Sequence, residues 1–321
     1  YNITFIPTFS FYSRIASLEE AYPPDNYGRR EIDLINSAGR SARHSLKAKS
    51  GGIAAPFYNP LHTAVQRQVK SVLKEFVSRY KDSKALGDIA IQLNTTGWLQ
   101  FPGLDWGYDL PTVKTFLTAK QIDIPKILDN ENAYRKRHVF LNTEPIKSSW
   151  IQWRNIKLRD FYASLADEIH RLSNGEKQLV LSYMNTFTSS YTEYNAAKEI
   201  AAGTSPRALH AAKGVDPLPL SKIPYARIWR PLRTPIPFNK RSERRAVASG
   251  HPSTTRLFQQ AGVDGIVQFF DYFETRLYSL QENWWWPLNY WTVATIRKPV
   301  ELYPLDDDIK TTFYGGWQFP Q

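Results

Sequence analysis

Two short stretches place carboxylates where they could reach a bound substrate. In LQFPGLDWGYDLPTVKTF, residues 99–116, Asp105 and Asp109 stand among Trp106, Tyr108, two glycines and two prolines. In VDGIVQFFDYFETRLYS, residues 263–279, Asp271 and Glu274 follow directly on an apolar run. Hydrolysis of a glycosidic bond usually needs two carboxyl groups facing each other across it, one as acid and one as base or nucleophile. Asp105 and Glu274 are the pair that suits this chemistry, each sitting on a loop after a strand-like segment. Asp109 has a competing role as helix N-cap, two residues before Pro111. Glu274 has one too, as the ion-pair partner of Arg276 or Arg230.

Other residues with ligand chemistry cluster nearby. FYNPLH, residues 57–62, supplies Tyr58, Asn59 and His62 as hydrogen-bonding groups, with Asn59 equally suited to cap the helix that Pro60 opens. Trp98 and Trp106 could stack on a sugar ring, and Arg230 and Asp271 could bond its hydroxyls. For Asp105 to act as an acid, burial against Trp106 would have to raise its pKa. The six histidines show no metal-binding spacing and no H-E-x-x-H, so no catalytic metal is expected. No cofactor is expected either: no G-x-G-x-x-G follows a strand, and there is no P-loop or G-x-S-x-G elbow.

These residues need a scaffold that gathers strand ends. Apolar runs predict strands at Ile3–Thr8, Ile32–Ile35, Ile53–Phe57, Ile89–Leu93, Leu179–Met184, Ala226–Trp229 and Gly265–Phe270. Helical periodicity marks residues 63–80, with Val65, Val69, Val72 and Phe76 on one face. It marks 149–172 as well, with Leu158, Phe161, Leu165 and Ile169 inward, and a helix beginning at Thr112 with Val113 and Phe116 inward. Alternating strands and helices with fully apolar strands predict an α/β chain built on a parallel sheet. Long aromatic-rich loops after the strands favour a (β/α)8 TIM-type barrel, irregular or incomplete at its N-terminus, over an open doubly wound sheet. One domain, 1–321, is expected, with an irregular Pro-rich basic loop over 216–245.

Composition sets outer bounds. With 321 residues the chain can bury a large core, and its net charge of +11 favours an anionic partner such as an acidic polysaccharide. The 14% aromatic share serves either a ligand surface or a heavily aromatic core. The absence of cysteine excludes disulfides and thiolate chemistry and suits an exported bacterial protein, extracellular or periplasmic. No apolar run is long enough to span a membrane. Three consecutive tryptophans, Trp284–Trp286, cannot all face one core, so this region could join a second copy or an assembly.

The runs YNPLHTAVQRQVKSVLKEFVSRY, LGDIAIQLNTTGWLQFPGLDWGYDLPTVKTF and WIQWRNIKLRDFYASLADEI, with the closing GGWQFP, resemble the bacterial family 10 glycosyl hydrolase-like proteins from Tyr58 onward. The resemblance implies a TIM barrel related to the large retaining glycosidase clan. It also implies an acidic residue at Glu274 and an acidic group before Trp106–Gly107. The family has Glu-Trp-Gly there; Asp105 is one methylene shorter. The clan's Asn-Glu after its fourth strand has no counterpart, since Asn130–Glu131 falls in a polar, helix-like context.

Two functional readings come from this. The first is a glycoside hydrolase acting on a poly- or oligosaccharide, an anionic one fitting the charge, with Trp106, Trp98 and Tyr58 lining subsites. The alternative is a non-catalytic carbohydrate-binding or surface-assembly protein on a degenerate glycosidase barrel. Nucleic-acid binding through the basic KRSERR run ranks last, since no nucleic-acid-binding motif accompanies it.

Overall fold

A computed structural model of the chain describes residues 4–11, 13–45, 57–94, 97–185, 199–200, 202–233, 252–262, 265–269 and 311–312. Among the described residues, six strands form one all-parallel sheet whose spatial order is the order of the chain. They are β1 (Thr8–Phe9), β2 (Ile89–Asn94), β3 (Leu179–Asn185), β4 (Ala226–Arg233), β5 (Gly265–Phe269) and β6 (Thr311–Thr312). The connections carry α1 (Ala16–Ala21), α2 (Ala42–Ser45), α3 (Thr63–Tyr80), α4 (Leu110–Ala119), α5 (Tyr134–Leu141) and α6 (Ile146–Leu172). After β3 come α7 (Pro206–Ala211) and α8 (Pro217–Leu220), and α9 (Pro252–Gln260) precedes β5.

The two faces of the sheet differ. Leu179, Leu181 and Tyr183 of β3, with Ile89, Ile91 and Leu93 of β2, share one core with Val65, Val69, Leu73 and Val77 of α3 and Leu158, Phe161, Leu165 and Ile169 of α6. Leu220 of α8 and Phe258 of α9 join the same core. The opposite face carries a separate cluster of Ala90, Val180 and Trp229, with Ile6 against it and no helix among the described residues. A parallel sheet in sequential order, with its helices on one face, is singly wound. That is the arrangement of a (β/α) barrel wall; a doubly wound sheet reverses its order and carries helices on both faces.

Several strand and helix expectations shift. The first strand is Thr8–Phe9, and Phe5 makes only an isolated bridge to Leu86. Ile32–Ile35 does not enter the sheet. Its backbone bridges antiparallel to Tyr58 and Ser41, and Asn36 bridges Trp106, so its apolar residues fill the core from a loop. Residues 53–56 of the third expected strand lie outside the described residues; β1 pairs parallel with β2. On α3 the buried seam is Val65, Val69, Leu73 and Val77; Val72 and Phe76 are half-buried at its margin. The α6 seam is as read, and the helix starts at Ile146. In the 216–245 region, Asp216 caps α8 and β4 crosses the sheet, so its first part is regular; 234–245 lies outside the described residues.

The excursion between β2 and α6 has its own core. Tyr108, Val113, Phe116, Leu117 and Leu141 pack on Trp150 and Trp153 of α6, whose rings stack 5.4 Å apart. Arg137 is buried there and donates to the carbonyls of Tyr108 at 2.7 Å, Leu128 at 3.1 Å, Glu131 at 3.1 Å and Asn130.

Candidate functional site

In open or closed sheets of this class, ligands bind beyond the carboxyl ends of the strands. On the helix-free face that edge is polar. Ser10 follows β1 and donates to the side-chain oxygen of Gln92, which also accepts from Asn94 Nδ2 at 3.4 Å. Gln92 pairs in register with Ser182 of β3, so the two share a face. The register then shifts between Gln92 and Asn94. Asn94 Oδ1 accepts the amide of Gly97 at 2.6 Å and turns the chain out of the sheet. Irregularities of this kind recur beside active sites, where they re-aim a side chain. Sequence reasoning passed over Ser10, Gln92, Asn94 and Ser182. For Gln92, Asn94 and Ser182 the signal was a polar residue inside or ending an otherwise apolar strand, in IAIQLN and LVLSYMN.

Asp105 lies on the loop that leaves this edge. The loop is held from both sides: the Phe101 amide donates to the Lys213 carbonyl at 3.0 Å, Ser37 N to the Asp105 carbonyl at 2.8 Å, and Gly107 N to Ile35 O at 2.8 Å. Gly107 sits at φ +96°, a conformation that favours glycine. The Asp105 carboxylate is 64% exposed. Its partners are Ser37 Oγ at 3.3 Å and His138 Nε2 of α5 at 3.4 Å. Burial lowers the His138 pKa, and the neighbouring Asp105 charge works against that shift. This is not a nucleophilic triad, because the carboxylate and not the imidazole touches the serine hydroxyl. An exposed carboxylate against an imidazole can instead exchange a proton with a ligand.

The other expected site residues separate into three groups. Trp98 and Trp106 are only 1% and 3% exposed. Trp98 packs edge-on against Phe11 and Tyr58, each at 5.2 Å, and its indole N–H donates to Ser13 O at 3.2 Å. Tyr58 is buried as well; its hydroxyl donates to Glu19 at 2.6 Å and accepts from Ile15 N at 2.8 Å. In this arrangement all three rings act as core, and no open ring face is left for stacking.

The second group is brought together. Asn59 Nδ2 donates to Asp109 Oδ2 at 3.1 Å and to Thr112 Oγ1 at 2.8 Å. Asp109 caps α4 by accepting Thr112 N at 2.9 Å, and burial raises its pKa. His62 caps α3 by accepting Ala64 N at 3.3 Å. The third group lies outside the described residues: Glu274, Asp271, Trp284–Trp286 and the side chain of Arg230. Among the described residues no group of three or more metal-ligating side chains gathers. None of their helices is long and apolar enough to cross a membrane.

No family model and no curated protein matches the chain. Solved structures of similar chain path include the catalytic domain of a β-amylase from Paenibacillus polymyxa, at 11% identity and a TM-score of 0.44 over 83% of this chain and 69% of that one. The glycoside hydrolase domain of PgaB (BpsB) from Bordetella bronchiseptica aligns at 10% identity and 0.44, over 92% of this chain and 66% of that one. A β-galactosidase from Marinomonas ef1 aligns at 11% and 0.42, over 83% and 38%. The chain thus spans about two thirds of the first two and well under half of the third.

Proposed function

We propose that this chain is a glycoside hydrolase-like protein of the closed (β/α)8 type. Its substrate is a poly- or oligosaccharide, and an anionic one suits the net charge of +11. Asp105 and Glu274 are the carboxylate pair, Glu274 as nucleophile or base, with Asp271 and Arg230 contacting substrate; the acid role of Asp105 requires that bound substrate supply the burial that the 64% exposed side chain lacks. One observation carries the reading. An exposed carboxylate, Asp105, stands beside the His138 imidazole on the loop that follows β2 in a parallel sheet of sequential order. Kinship with the family 10 glycosyl hydrolase-like proteins and an extracellular or periplasmic location belong to the same proposal. So does assembly through Trp284–Trp286.

The second reading, a carbohydrate-binding protein without turnover, draws on the partners of Asp105: among the described residues they are Ser37 and His138, and neither is a carboxylate. Release of reducing ends from a panel of neutral and acidic polysaccharides separates the two. Hydrolysis by the native chain that falls at least about a thousandfold in Glu274→Gln and Asp105→Asn supports catalysis. Retained binding with no turnover in the native chain favours the second reading. Neither binding nor turnover sinks both.

A further inference from the structure

The residues that the fold gathers around Asp109 line a cavity of about 490 Å³ between the N-terminal ends of α3 and α4 and the flank of α6. We propose that this cavity is a saccharide-binding site in its own right, separate from the rim that carries Asp105. It does not rest on the catalytic reading, since neither Asp105 nor His138 nor Ser37 lines it.

The size falls within the range of small-molecule sites, about 300–1,000 Å³. The lining has the mixed character that a polyhydroxylated ring demands. Trp153 and Phe161 offer apolar wall, while Asn59, Gln66, Asp109 and Thr112 offer donors and acceptors. Neutral hydrogen-bonding groups outnumber charged ones, which disfavours an anion; so does the carboxylate of Asp109.

The hydrogen-bond inventory points the same way. The Asp109 carboxylate accepts from Thr112 N on Oδ1 and from Asn59 Nδ2 on Oδ2, and the Thr112 hydroxyl and its own backbone amide also bond it, so it is held rigidly at the cavity wall. Asn59 is already committed through both its atoms, to Asp109, Thr112 and Leu61 N, and so holds the carboxylate still. Gln66 spends its amino group on Pro60 O at 2.8 Å, leaving its oxygen as an acceptor. Trp153 is 5% exposed, and its indole N–H is buried with no hydrogen-bond partner among the described residues. A rigid carboxylate and an amide oxygen set against an apolar wall are suited to the hydroxyls and C–H groups of a sugar ring.

The test is saturation-transfer NMR with cellobiose, maltose and diacetylchitobiose as probes. Thr115 is exposed and lines the cavity, so Thr115→Trp fills it without touching either cap. Asp109→Asn keeps a competent N-cap and removes the charge. Thermal melts confirm that both variants fold. Transfer to at least one probe is expected in the native chain, with affinity falling about tenfold or more in both variants and unchanged in Lys74→Ala, on the exposed side of α3. No transfer to any probe, or transfer untouched by Thr115→Trp, overturns the proposal. Loss in Asp105→Asn with retention in Thr115→Trp moves the ligand to the rim: it overturns this site while leaving the catalytic reading standing.

Discussion

Asp105 Oδ1 lies 3.4 Å from His138 Nε2, and the other imidazole nitrogen, Nδ1, is buried without a partner among the described residues. The proton affinity of the ring is therefore a balance between burial, which depresses it, and one carboxylate, which supports it. Asp105→Asn removes the support and leaves the burial. The His138 titration midpoint, followed by imidazole proton shifts, should move to lower pH than in the native chain. An unchanged midpoint would mean that the pair does not form in solution.

The loop that presents Asp105 depends on Gly107. A Cβ there would meet the Phe101 ring at 2.9 Å, on a backbone already at φ +96°. Gly107→Ala should cost about 1–3 kcal/mol in thermal or urea unfolding. It should also disturb the His138 resonances, since Asp105 lies two residues away. A neutral substitution would show that Phe101 gives way freely.

Acid sensitivity should centre on Glu19. Burial alone would raise its pKa, but hydrogen bonds from Arg43 and Tyr58 and the charges of Arg43 and Arg30 pull it below the ordinary 4.5. A carboxylate depressed on folding adds stability that is fully present above its unfolded pKa and lost as pH falls through the folded value. Glu19→Gln should therefore weaken the fold by about 2–4 kcal/mol at neutral pH, leaving Arg43 half-partnered, and flatten the stability loss below pH 4.5. Buried Asp33 opposes this trend, because burial raises its pKa despite Arg43 at 3.0 Å. Equal acid slopes in native chain and variant would argue against the assignment.

Arg137→Lys tests the carbonyl cage. A guanidinium reaches the carbonyls of residues 108, 128, 130 and 131 at once, and an ammonium on a flexible stem does not. A loss of about 2–4 kcal/mol is expected. Faster amide exchange should be confined to residues 104–141. Uniform acceleration across the sheet would instead place Arg137 in the global core.

Periodic features were legible in the sequence and distant pairings were not. Leu158, Phe161, Leu165 and Ile169 recur at helical spacing and do form the buried seam of α6. Asp109 before Pro111 signalled its capping role by local chemistry. Ile32–Ile35 has the composition of a strand, but its neighbours bridge it antiparallel outside the sheet, a tertiary choice that short-range pattern does not encode. Trp98 and Trp106 suggested a ligand platform because aromatic residues serve core and surface alike. The hydrogen bond between Asn59 and Asp109 spans fifty positions and depends on how α3 and α4 meet. Gln92 and Ser182 were hidden in the opposite way: each is a polar residue inside an otherwise apolar strand, and only the sheet register aligns them.

The small core of Tyr108, Val113, Phe116, Leu117 and Leu141 has a consequence for stability. Its apolar side chains satisfy one another and reach the body of the protein through the paired faces of Trp150 and Trp153. Shortening the excursion beyond Leu117 should therefore loosen its own small core while leaving the sheet's core packed, a modularity of packing rather than of chain.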